Sequence, residues 1–388
     1  TELFIRKFAK VYTPIVVFLA IAITLLPYFF VENYVFKSWL YRALVFLVIS
    51  CPCALVISIP LGYFGGIGAG SRNGILFKGS NFLDALAEIK NVVMDKTGTM
   101  TEGVFKVQEV NLKPELNKDE ILKLVNALES QSTHPVATAI HQYVGEIDNS
   151  LKLENTEEIA GHGLKANVNG KELLVGNFKL MDKFNISYDL DPSTIVYTLI
   201  AIAYDGKFAG YIRIADEIKQ DSAQAIADMK DVGIEKTYML TGDGESVAKS
   251  VAENLKIDEY KSKLLPQDKV EIVKELIEKG RKVAFVGDGI NDAPVLALSD
   301  VGISMGQIGS DAAIEASDVV IMTDEPTKIA QAIKISKKTL KIAKQNAYFA
   351  IGIKIIVLIL SALGLTNMWA AIFADVGVTV LAILNSFR

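Results

Sequence analysis

The stretch NVVMDKTGT at residues 91–99 decides the fold of this chain. Its apolar first half predicts a short buried strand, and the small residues after Asp95 predict a turn. A carboxylate that ends such a strand lies where backbone N–H groups can hold a phosphate. Asp95 can then take a phosphoryl group and form an aspartyl-phosphate when Mg²⁺ screens the phosphoryl oxygens. An ordinary strand-to-turn sequence without chemistry is the alternative reading.

The composition divides the chain into apolar ends and an ordinary globular middle. The chain has 388 residues, a hydrophobic content of 51% and a formal net charge of −5. This length allows two or three domains, and the charge gives no reason to expect nucleic-acid binding. Hydrophobic residues concentrate at both ends, whereas the segment of about residues 70–345 has the composition of a globular protein.

Four apolar stretches approach the length of about 20 residues that a membrane-spanning helix needs. They lie near residues 12–31, 44–66, 347–365 and 368–387. Basic residues flank them at Arg6, at Arg72 and in residues 337–344, which by the positive-inside tendency places both termini and the middle region in the cytosol. The sequence therefore predicts an integral membrane protein with two pairs of spanning helices.

Short apolar runs alternate with helix-like stretches in the middle region, as in a parallel sheet flanked by helices. Between about residues 106 and 208 the pattern changes, and Asn169-Gly170 and Asp205-Gly206 each indicate a hairpin turn. We therefore expect an α/β domain that is split by an inserted α+β domain. The expected segments are two membrane helices (1–88), the first part of the α/β domain (89–105), the inserted domain (106–208), the second part of the α/β domain (209–335) and two further membrane helices (336–388).

Further motifs support a phosphoryl-transfer site at the carboxyl edge of the parallel sheet. TGD at residues 241–243 follows an apolar run, and so does GDGIND at residues 287–292. Open α/β sheets bind ligands at the edge where their parallel strands end. Asp95 and Asp288 offer the oxygen ligands that Mg²⁺ prefers. Lys269, at the start of a predicted helix, can neutralise charge on the transferring group.

Together these motifs resemble the phosphorylation-domain motifs of P-type ATPases, which are built on the haloacid-dehalogenase fold. The resemblance covers nearly the whole chain and implies that Asp95 is the phosphorylated residue. It implies catalytic roles for a set of residues around Asp95, namely Lys96, Thr97, Thr241, Gly242, Asp243, Lys269, Asn291 and Asp292. It also implies that Mg²⁺ is held by Asp95, Thr97 and Asp288.

The inserted domain resembles the nucleotide-binding domain of the heavy-metal-transporting subfamily. STHP at residues 132–135 is similar to the subfamily's Ser-Glu-His-Pro motif, although Thr133 replaces the usual glutamate. GHG at residues 161–163 matches its Gly-x-Gly loop, where missing side chains let adenine or phosphate approach the backbone. The resemblance implies that ATP is bound by Glu129, His134, Gly161, Gly163, Gly176 and Asn177. His141 has no such context and is expected to be structural.

The second apolar stretch contains Cys51, Pro52 and Cys53 at mid-span. A disulfide across one intervening residue is strained, so both cysteines are expected to be thiols. Residues two apart face nearly opposite sides of an unbroken helix, but Pro52 removes a helical N–H and disturbs the preceding turn. Local unwinding then turns both sulfurs inward, where thiolates select Zn²⁺, Cd²⁺, Pb²⁺ or Cu⁺. The alternative is a proline kink between two small apolar side chains.

Lys354 and Asp375 lie about eight residues into the third and fourth apolar stretches, near the middle of the bilayer. A charge there costs at least about 2.5 kcal/mol, which favours an opposite pair that faces the interior. Asp375 adds a hard oxygen ligand and favours a divalent ion over Cu⁺, and Lys354 can balance Asp375 after the ion leaves. A purely structural ion pair is the alternative. The combination resembles the zinc-, cadmium- and lead-transporting branch, and the Tyr-Asn and Met-x-x-Ser-Ser patterns of the copper branch are absent.

The resulting hypothesis is ATP-driven export of Zn²⁺, Cd²⁺ or Pb²⁺ through an aspartyl-phosphate. The expected metal-site residues are Cys51, Cys53 and Asp375, with Lys354 as the counter-charge. The resemblance implies a bacterial plasma membrane, with lipid as a partner. It further implies that the family's actuator domain and first membrane helices lie outside this chain, so that the chain alone binds ATP but does not pump. A Cu⁺ exporter and a membrane-anchored phosphatase of the dehalogenase fold remain alternatives.

Overall fold

The computed structural model describes residues 2–388 except 51–52, 133–134, 146–150, 152, 160, 191–197, 307–310, 363–364 and 366. The chain forms two units. The first comprises Thr1–Ile89, Asp318–Thr323 and Lys328–Arg388, and the second comprises Lys90–Ser317 and Asp324–Thr327.

The first unit consists of helices and a pair of short strands. Its helices are α1 (Glu2–Leu25), α2 (Phe36–Ile49), α3 (Cys53–Arg72), α4 (Ser80–Glu88), α13 (Thr327–Ala362) and α14 (Met368–Ser386), with a 3₁₀ turn at Leu26–Phe29. Strands β1 (Ile75–Phe77) and β13 (Val319–Ile321) pair antiparallel.

Within the described residues, three helical stretches are long and apolar enough to cross a membrane. They are Lys10–Phe29, Phe36–Arg72 and Thr327–Leu360, and the shorter stretch Ile372–Ser386 is apolar as well. Two helices begin well before the predicted apolar stretches. α2 begins at Phe36 rather than near residue 44 and includes Lys37 and Arg42. α13 begins at Thr327 rather than near residue 347, because the basic segment before the apolar stretch continues the same helix.

In the second unit, apolar strands form a parallel sheet. In spatial order they are β12 (Val301–Met305), β11 (Val283–Gly287), β2 (Asn91–Asp95), β9 (Lys236–Leu240) and β10 (Glu259–Lys261). β2, β11 and β12 are buried along their whole length, as strands are when helices cover both faces of a sheet.

Helices precede or follow the strands of this sheet along the chain. They are α8 (Ser222–Asp231), α9 (Glu245–Leu255), α10 (Pro266–Glu278), α11 (Ala293–Leu298) and α12 (Asp311–Ala316), with a 3₁₀ turn at Ile290–Asp292 before α11. Val93, Tyr238 and Phe285 are register partners on three neighbouring strands, and they pack against Val273 and Leu276 of α10. This apolar layer holds α10 in place beside the strand ends.

An antiparallel sheet forms the remainder of the second unit. Its strands, in spatial order, are β3 (Thr101–Leu112), β8 (Lys207–Ile218), β7 (Thr198–Tyr204), β6 (Lys171–Gly176), β5 (Gly163–Val168) and β4 (Leu153–Ile159). Helices α5 (Lys118–Glu129), α6 (Pro135–Val144) and α7 (Phe178–Lys183) accompany it. Both predicted hairpins are present, because Asn169-Gly170 and Asp205-Gly206 adopt the positive φ values that such two-residue turns require.

The long strands β3 and β8 connect the two sheets. β3 begins beside the end of β8, with Thr101 opposite Ile218, and their pairing continues to Leu112 opposite Gly210. The boundaries predicted at residues 105/106 and 208/209 therefore fall inside β3 and β8, although the pairing of these strands shifts register between Thr101 and Phe105 and again between Val107 and Glu109. A change in residue pattern does not mark the joint, because the connection between the sheets is itself part of a β-ladder.

Candidate active site

Three neighbouring strands bring the phosphoryl-transfer motifs to one edge of the parallel sheet. β2 ends at Asp95, β9 ends directly before Thr241, and β11 ends directly before Asp288. β2 lies between β9 and β11 and runs parallel to both. These residues therefore emerge at the carboxyl edge of the sheet, where open α/β sheets bind ligands.

Three carboxylates meet at this edge. One oxygen each of Asp95, Asp288 and Asp292 lies within 4.8 Å of the others. Asp95 and Asp292 are buried, and Asp288 is half-buried. Hard carboxylate oxygens, partly open to solvent, are the donor set that Mg²⁺ prefers. The residues present thus fit a magnesium ion.

The pKa values reflect the crowding of negative charge. Burial, followed by repulsion from Asp292, raises the pKa of Asp95 above its ordinary value. Burial and repulsion from Asp95 and Asp292 raise the pKa of Asp288 to about 7. A bound divalent cation would favour the ionised forms, since it supplies the charge that the carboxylates lack.

Lys269 bridges two of the carboxylates. Its Nζ lies 2.7 Å from Asp95 Oδ1 and 2.9 Å from Asp292 Oδ1. Burial alone would lower the pKa of Lys269, but the two carboxylates outweigh burial and raise it. The lysine sits in the first turn of α10, which begins at Pro266. A positive charge is thus fixed beside Asp95.

Lys96 follows Asp95 directly but points to other acidic groups. Its Nζ lies 2.6 Å from Asp243 Oδ2 and 3.5 Å from Asp216 Oδ2. Lys96 is buried, whereas Asp243 remains half-buried. The lysine therefore joins the loop after β2 to the loop after β9 and to the end of β8.

The loop after Asp95 requires glycine at position 98. Gly98 has a φ of +72°, and a Cβ built on it would overlap the carboxylate of Asp288. Thr101 Oγ1 accepts a hydrogen bond from the Gly98 N–H at 3.3 Å and shares its single proton between the Asp216 carboxylate and the Lys96 carbonyl, the latter at 3.1 Å. Hydrogen bonds within residues 96–101 thus close the loop after Asp95, and Gly98 lies directly against Asp288.

The other predicted catalytic residues line the same edge. Thr241 is buried, and its Oγ1 accepts a hydrogen bond from the Asp243 N–H at 3.1 Å. Thr97, Gly242 and Asn291 are exposed. Exposed polar side chains and backbone beside buried carboxylates leave room for a phosphate-bearing ligand.

The glycines predicted to bind nucleotide occupy positions with different backbone surroundings. Gly163 and Gly176 are register partners on β5 and β6, and a Cβ on either would overlap the backbone of the opposing strand. Gly161 has a φ of +72° and open space around it. Asn177 caps α7 and donates from Nδ2 to the Gly161 carbonyl at 2.8 Å. Strand packing is thus sufficient to require glycine at position 163, and nucleotide binding there stays a prediction.

Glu129 and His141 of the antiparallel domain differ in their surroundings. Glu129 ends α5 and is 6% exposed; burial, with repulsion from Glu158, raises its pKa to about 7. His141 Nδ1 lies 3.2 Å from Asn126 Oδ1, and Asn126 Nδ2 donates to the Gly145 carbonyl directly after α6 at 3.2 Å. A structural role for His141 stays a prediction. His134 lies outside the described residues.

The long apolar helices bring together part of the predicted metal site. Lys354 Nζ lies 3.0 Å from Asp375 Oδ1 and 3.3 Å from the Ile49 carbonyl at the end of α2. The Tyr12 hydroxyl donates to the Ser50 carbonyl at 2.6 Å. Two carbonyls at the end of α2 thus receive side-chain donors. Cys51 and the side chain of Cys53 lie outside the described residues.

Comparison with known families explains the phosphoryl-transfer edge. Residues 89–300, more than half of the chain, match the model for haloacid dehalogenase-like hydrolases. The chain belongs to the haloacid dehalogenase-like hydrolase family. Asp95, Lys269 and Asp288 lie inside the matched segment, whereas Lys354 and Asp375 lie outside it.

Relatives with longer chains show which transporters this chain is similar to. The chain is 51% identical over its whole length to the zinc-transporting ATPase of Synechocystis sp., of which it covers 54%. It is likewise 51% identical to the cadmium, zinc and cobalt-transporting ATPase of Bacillus subtilis, of which it covers 55%. The chain spans about half the length of the curated relatives it matches.

A solved structure extends this likeness to the whole described fold. The crystal structure of a zinc-transporting PIB-type ATPase in its E2.Pi state is 33% identical, with a TM-score of 0.86. The match covers 98% of this chain and 63% of the other. The predicted resemblance to heavy-metal-transporting P-type ATPases and the predicted fold class are confirmed.

Sequence reasoning missed Asp216 and Lys219 in the haloacid dehalogenase-like domain. Lys219 is buried, and its Nζ donates to the Gly98 carbonyl at 2.9 Å and to the Asp324 carbonyl at 3.0 Å. Asp216 contacts Thr101 as well as Lys96. Both residues reach the site because β8 pairs with β3 and thereby returns the chain to the loop after Asp95. The local sequence around Asp216 and Lys219 does not predict this pairing.

Proposed function

We propose that the chain carries the catalytic domains and part of the ion pathway of an ATPase that exports Zn²⁺, Cd²⁺ or Pb²⁺. The carrying observation is Asp95 at the end of β2, bonded to the Lys269 ammonium, with Asp288 and Asp292 beside it. The printed names of the relatives support zinc and cadmium as cargo and add cobalt to the candidates.

In the proposed reaction, an Asp95 carboxylate oxygen attacks the γ-phosphorus of ATP. The bond between that phosphorus and the β,γ-bridging oxygen breaks as the new P–O bond forms, and ADP leaves. Lys269 stabilises the ionised form of Asp95 and offsets the charge of the approaching phosphate. Mg²⁺, held by Asp95, Thr97 and Asp288, would screen the phosphoryl oxygens. Water later attacks phosphorus and releases phosphate, which restores the Asp95 carboxylate.

The remaining predicted residues receive roles around this step. Lys96, Thr241, Gly242, Asp243, Asn291 and Asp292 support the phosphate and the nucleotide end. Glu129, His134, Gly161, Gly163, Gly176 and Asn177 hold ATP. Within this set, Gly161 is the position whose open backbone supports direct approach of the nucleotide, whereas Gly163 and Gly176 act by shaping the strands.

The proposed transport site combines Cys51, Cys53 and Asp375, with Lys354 as the counter-charge. The ion pair of Lys354 with Asp375 supports this arrangement, since an intramembrane charge needs a partner when no cation is bound. Phosphorylation at Asp95 would drive release of the ion. We place the protein in a bacterial plasma membrane, with its termini and catalytic domains cytosolic.

Phosphorylation with [γ-³²P]ATP in Mg²⁺ buffer tests the proposal. We expect an acid-stable phosphoenzyme that forms only with Zn²⁺, Cd²⁺, Pb²⁺ or Co²⁺ and disappears in Asp95→Asn. Asp375→Ala should abolish the metal dependence while leaving ATP binding intact. Turnover of small phosphate esters without any phosphoenzyme from ATP would instead favour a phosphatase. Equal stimulation by Cu⁺ in the unaltered chain and in Asp375→Ala would favour a copper exporter.

A further inference from the structure

A buried polar cluster joins α13 to α14. Asn346 Nδ2 on α13 donates to the Ala382 carbonyl at 3.0 Å and to Ser386 Oγ at 2.9 Å, both on α14. Asn385 Nδ2 returns a hydrogen bond to Asn346 Oδ1 at 2.8 Å. Asn346 and Ser386 are buried. We call Asn346, Asn385 and Ser386 the helix clamp.

α3 touches the helix clamp through a weaker contact. Ser386 Oγ shares its single proton between the Ala382 carbonyl at 2.9 Å and the Ser58 carbonyl of α3 at 3.2 Å. The Ser58 hydroxyl is buried, and among the described residues it has no hydrogen-bond partner. A Cβ built on Gly65 would lie 3.1 Å from the Ser386 carbonyl oxygen. α3 therefore packs closely against α14, and its described side chains donate no hydrogen bond to α14.

The helix clamp fixes the register of α13 against α14. A buried amide specifies how two helices align, because only one register places its donors and its acceptor beside their partners. A shift of α14 by one residue, about 1.5 Å, would leave the Asn346 amide without its partners.

The candidate ion residues lie on these same helices. Lys354 lies about two turns beyond Asn346 on α13, and Asp375 lies about three turns before Ser386 on α14. Their side chains meet at 3.0 Å. An error in the register of the two helices would separate this pair, because each residue is rigidly connected to the clamp by helical backbone.

We propose that the helix clamp fixes α13 against α14 in one register and thereby holds Asp375 and Lys354 together at the candidate transport site. Asn346 is then a positioning residue for that site. The inference rests on the proposed function, because it assumes that Asp375 binds the transported ion.

A double-mutant cycle on the full chain in detergent tests the clamp, with Cd²⁺ as the probe. Cd²⁺ affinity is measured by competition with a chromophoric chelator. We expect Asn346→Leu, which is close in volume, to weaken Cd²⁺ binding about tenfold, equal to about 1.4 kcal/mol. In an Asp375→Ala background the same substitution should have no further effect, since its influence passes through Asp375. Ser58→Ala is the matched control, because it removes a buried hydroxyl without a described partner, and it should stay within twofold of the unaltered chain.

Each outcome bears on one of the two proposals. Unchanged Cd²⁺ affinity in Asn346→Leu, or an equal loss in both backgrounds, would overturn the clamp and leave the proposed function standing. Ser386→Ala repeats the cycle with a smaller change if Asn346→Leu does not fold, and it should weaken binding severalfold only when Asp375 is present. Absence of Cd²⁺ binding in the unaltered chain, or binding insensitive to Asp375→Ala, would overturn the proposed function itself.

Discussion

Replacing Lys269 by methionine tests whether one buried ammonium group organises the phosphorylation site. Lys269 Nζ donates to Asp95 at 2.7 Å and to Asp292 at 2.9 Å, and its side chain is 11% exposed. Methionine keeps most of the volume but removes the charge and both hydrogen bonds. The two carboxylates then face each other, together with Asp288, without the cation that separates them.

The structure predicts two effects of opposite sign. Loss of one preorganised donor at a reacting group costs about 2.7–4 kcal/mol, so phosphorylation of Asp95 should slow about 10²–10³-fold. Mg²⁺ binding should tighten, on the order of tenfold at pH 8.5, because a positive charge has been removed from the immediate surroundings of three carboxylates. The pH matters, because Asp288 has a pKa of about 7, and below that pH protons compete with Mg²⁺ for its carboxylate.

Rapid-quench phosphorylation with [γ-³²P]ATP and calorimetric Mg²⁺ titration measure the two effects in the same preparation. Lys274→Met is the matched control, because Lys274 lies exposed on the same helix and pairs only weakly with Glu278 at 3.9 Å. It should leave both quantities unchanged. A normal phosphorylation rate in Lys269→Met would refute the role assigned to the ammonium group, and a parallel loss of phosphorylation and Mg²⁺ affinity would refute the electrostatic reasoning.

Three further predictions concern single positions. Glu129→Gln should stabilise α5 increasingly as pH rises from 4.5 to about 7, by at most about 3 kcal/mol. The reason is that the folded carboxyl keeps its proton to about pH 7, whereas the unfolded chain loses it near pH 4.5. Hydrogen exchange of α5 at pH 5 and pH 8 measures this effect, and an equal difference between variant and unaltered chain at both pH values would contradict it. Tyr12→Phe should weaken Cd²⁺ binding about threefold to tenfold by leaving the Ser50 carbonyl without its donor, whereas Tyr34→Phe, which removes a similar phenol-to-carbonyl bond elsewhere on α1, should not. Gly98→Ala should lower phosphoenzyme yield at least tenfold, since its positive φ and the adjacent carboxylate exclude a Cβ; a normal yield would show that the loop can relax.

Local pattern was sufficient for the strand ends at the active site. A fully apolar strand followed by a carboxylate and a small-residue turn admits few structures, so Asp95 and Asp288 emerge at the sheet edge as their sequence context requires. The same holds for the hairpins at Asn169 and Asp205, where positive φ is a property of the turn itself. Features of this kind depend on residues close together in the chain.

The residues that sequence reasoning missed depend on distant pairing. Lys219 reaches the Gly98 carbonyl only because β8 runs beside β3. The residues next to Lys219 in the chain do not predict that it lies beside Gly98. Gly163 also depends on a residue outside its own motif. The approach of Gly176 on the next strand requires a glycine at position 163, and that approach is visible only in the folded sheet.

The charge balance around Asp95 links these missed residues to the chemistry. The acidic side chains that meet there are Asp95, Asp216, Asp243, Asp288 and Asp292, and the basic ones are Lys96, Lys219 and Lys269. Five carboxylates against three ammonium groups leave two negative charges, which is the deficit that one divalent cation fills. Lys219 and Asp216 carry opposite charges, so they leave this net charge unchanged and alter only where the charge lies, since Asp216 shares the Lys96 ammonium group with Asp243. The buried lysines therefore set how much charge remains for the cation and the phosphate to balance, and each of them is held by a strand or helix whose partner lies far away in the chain.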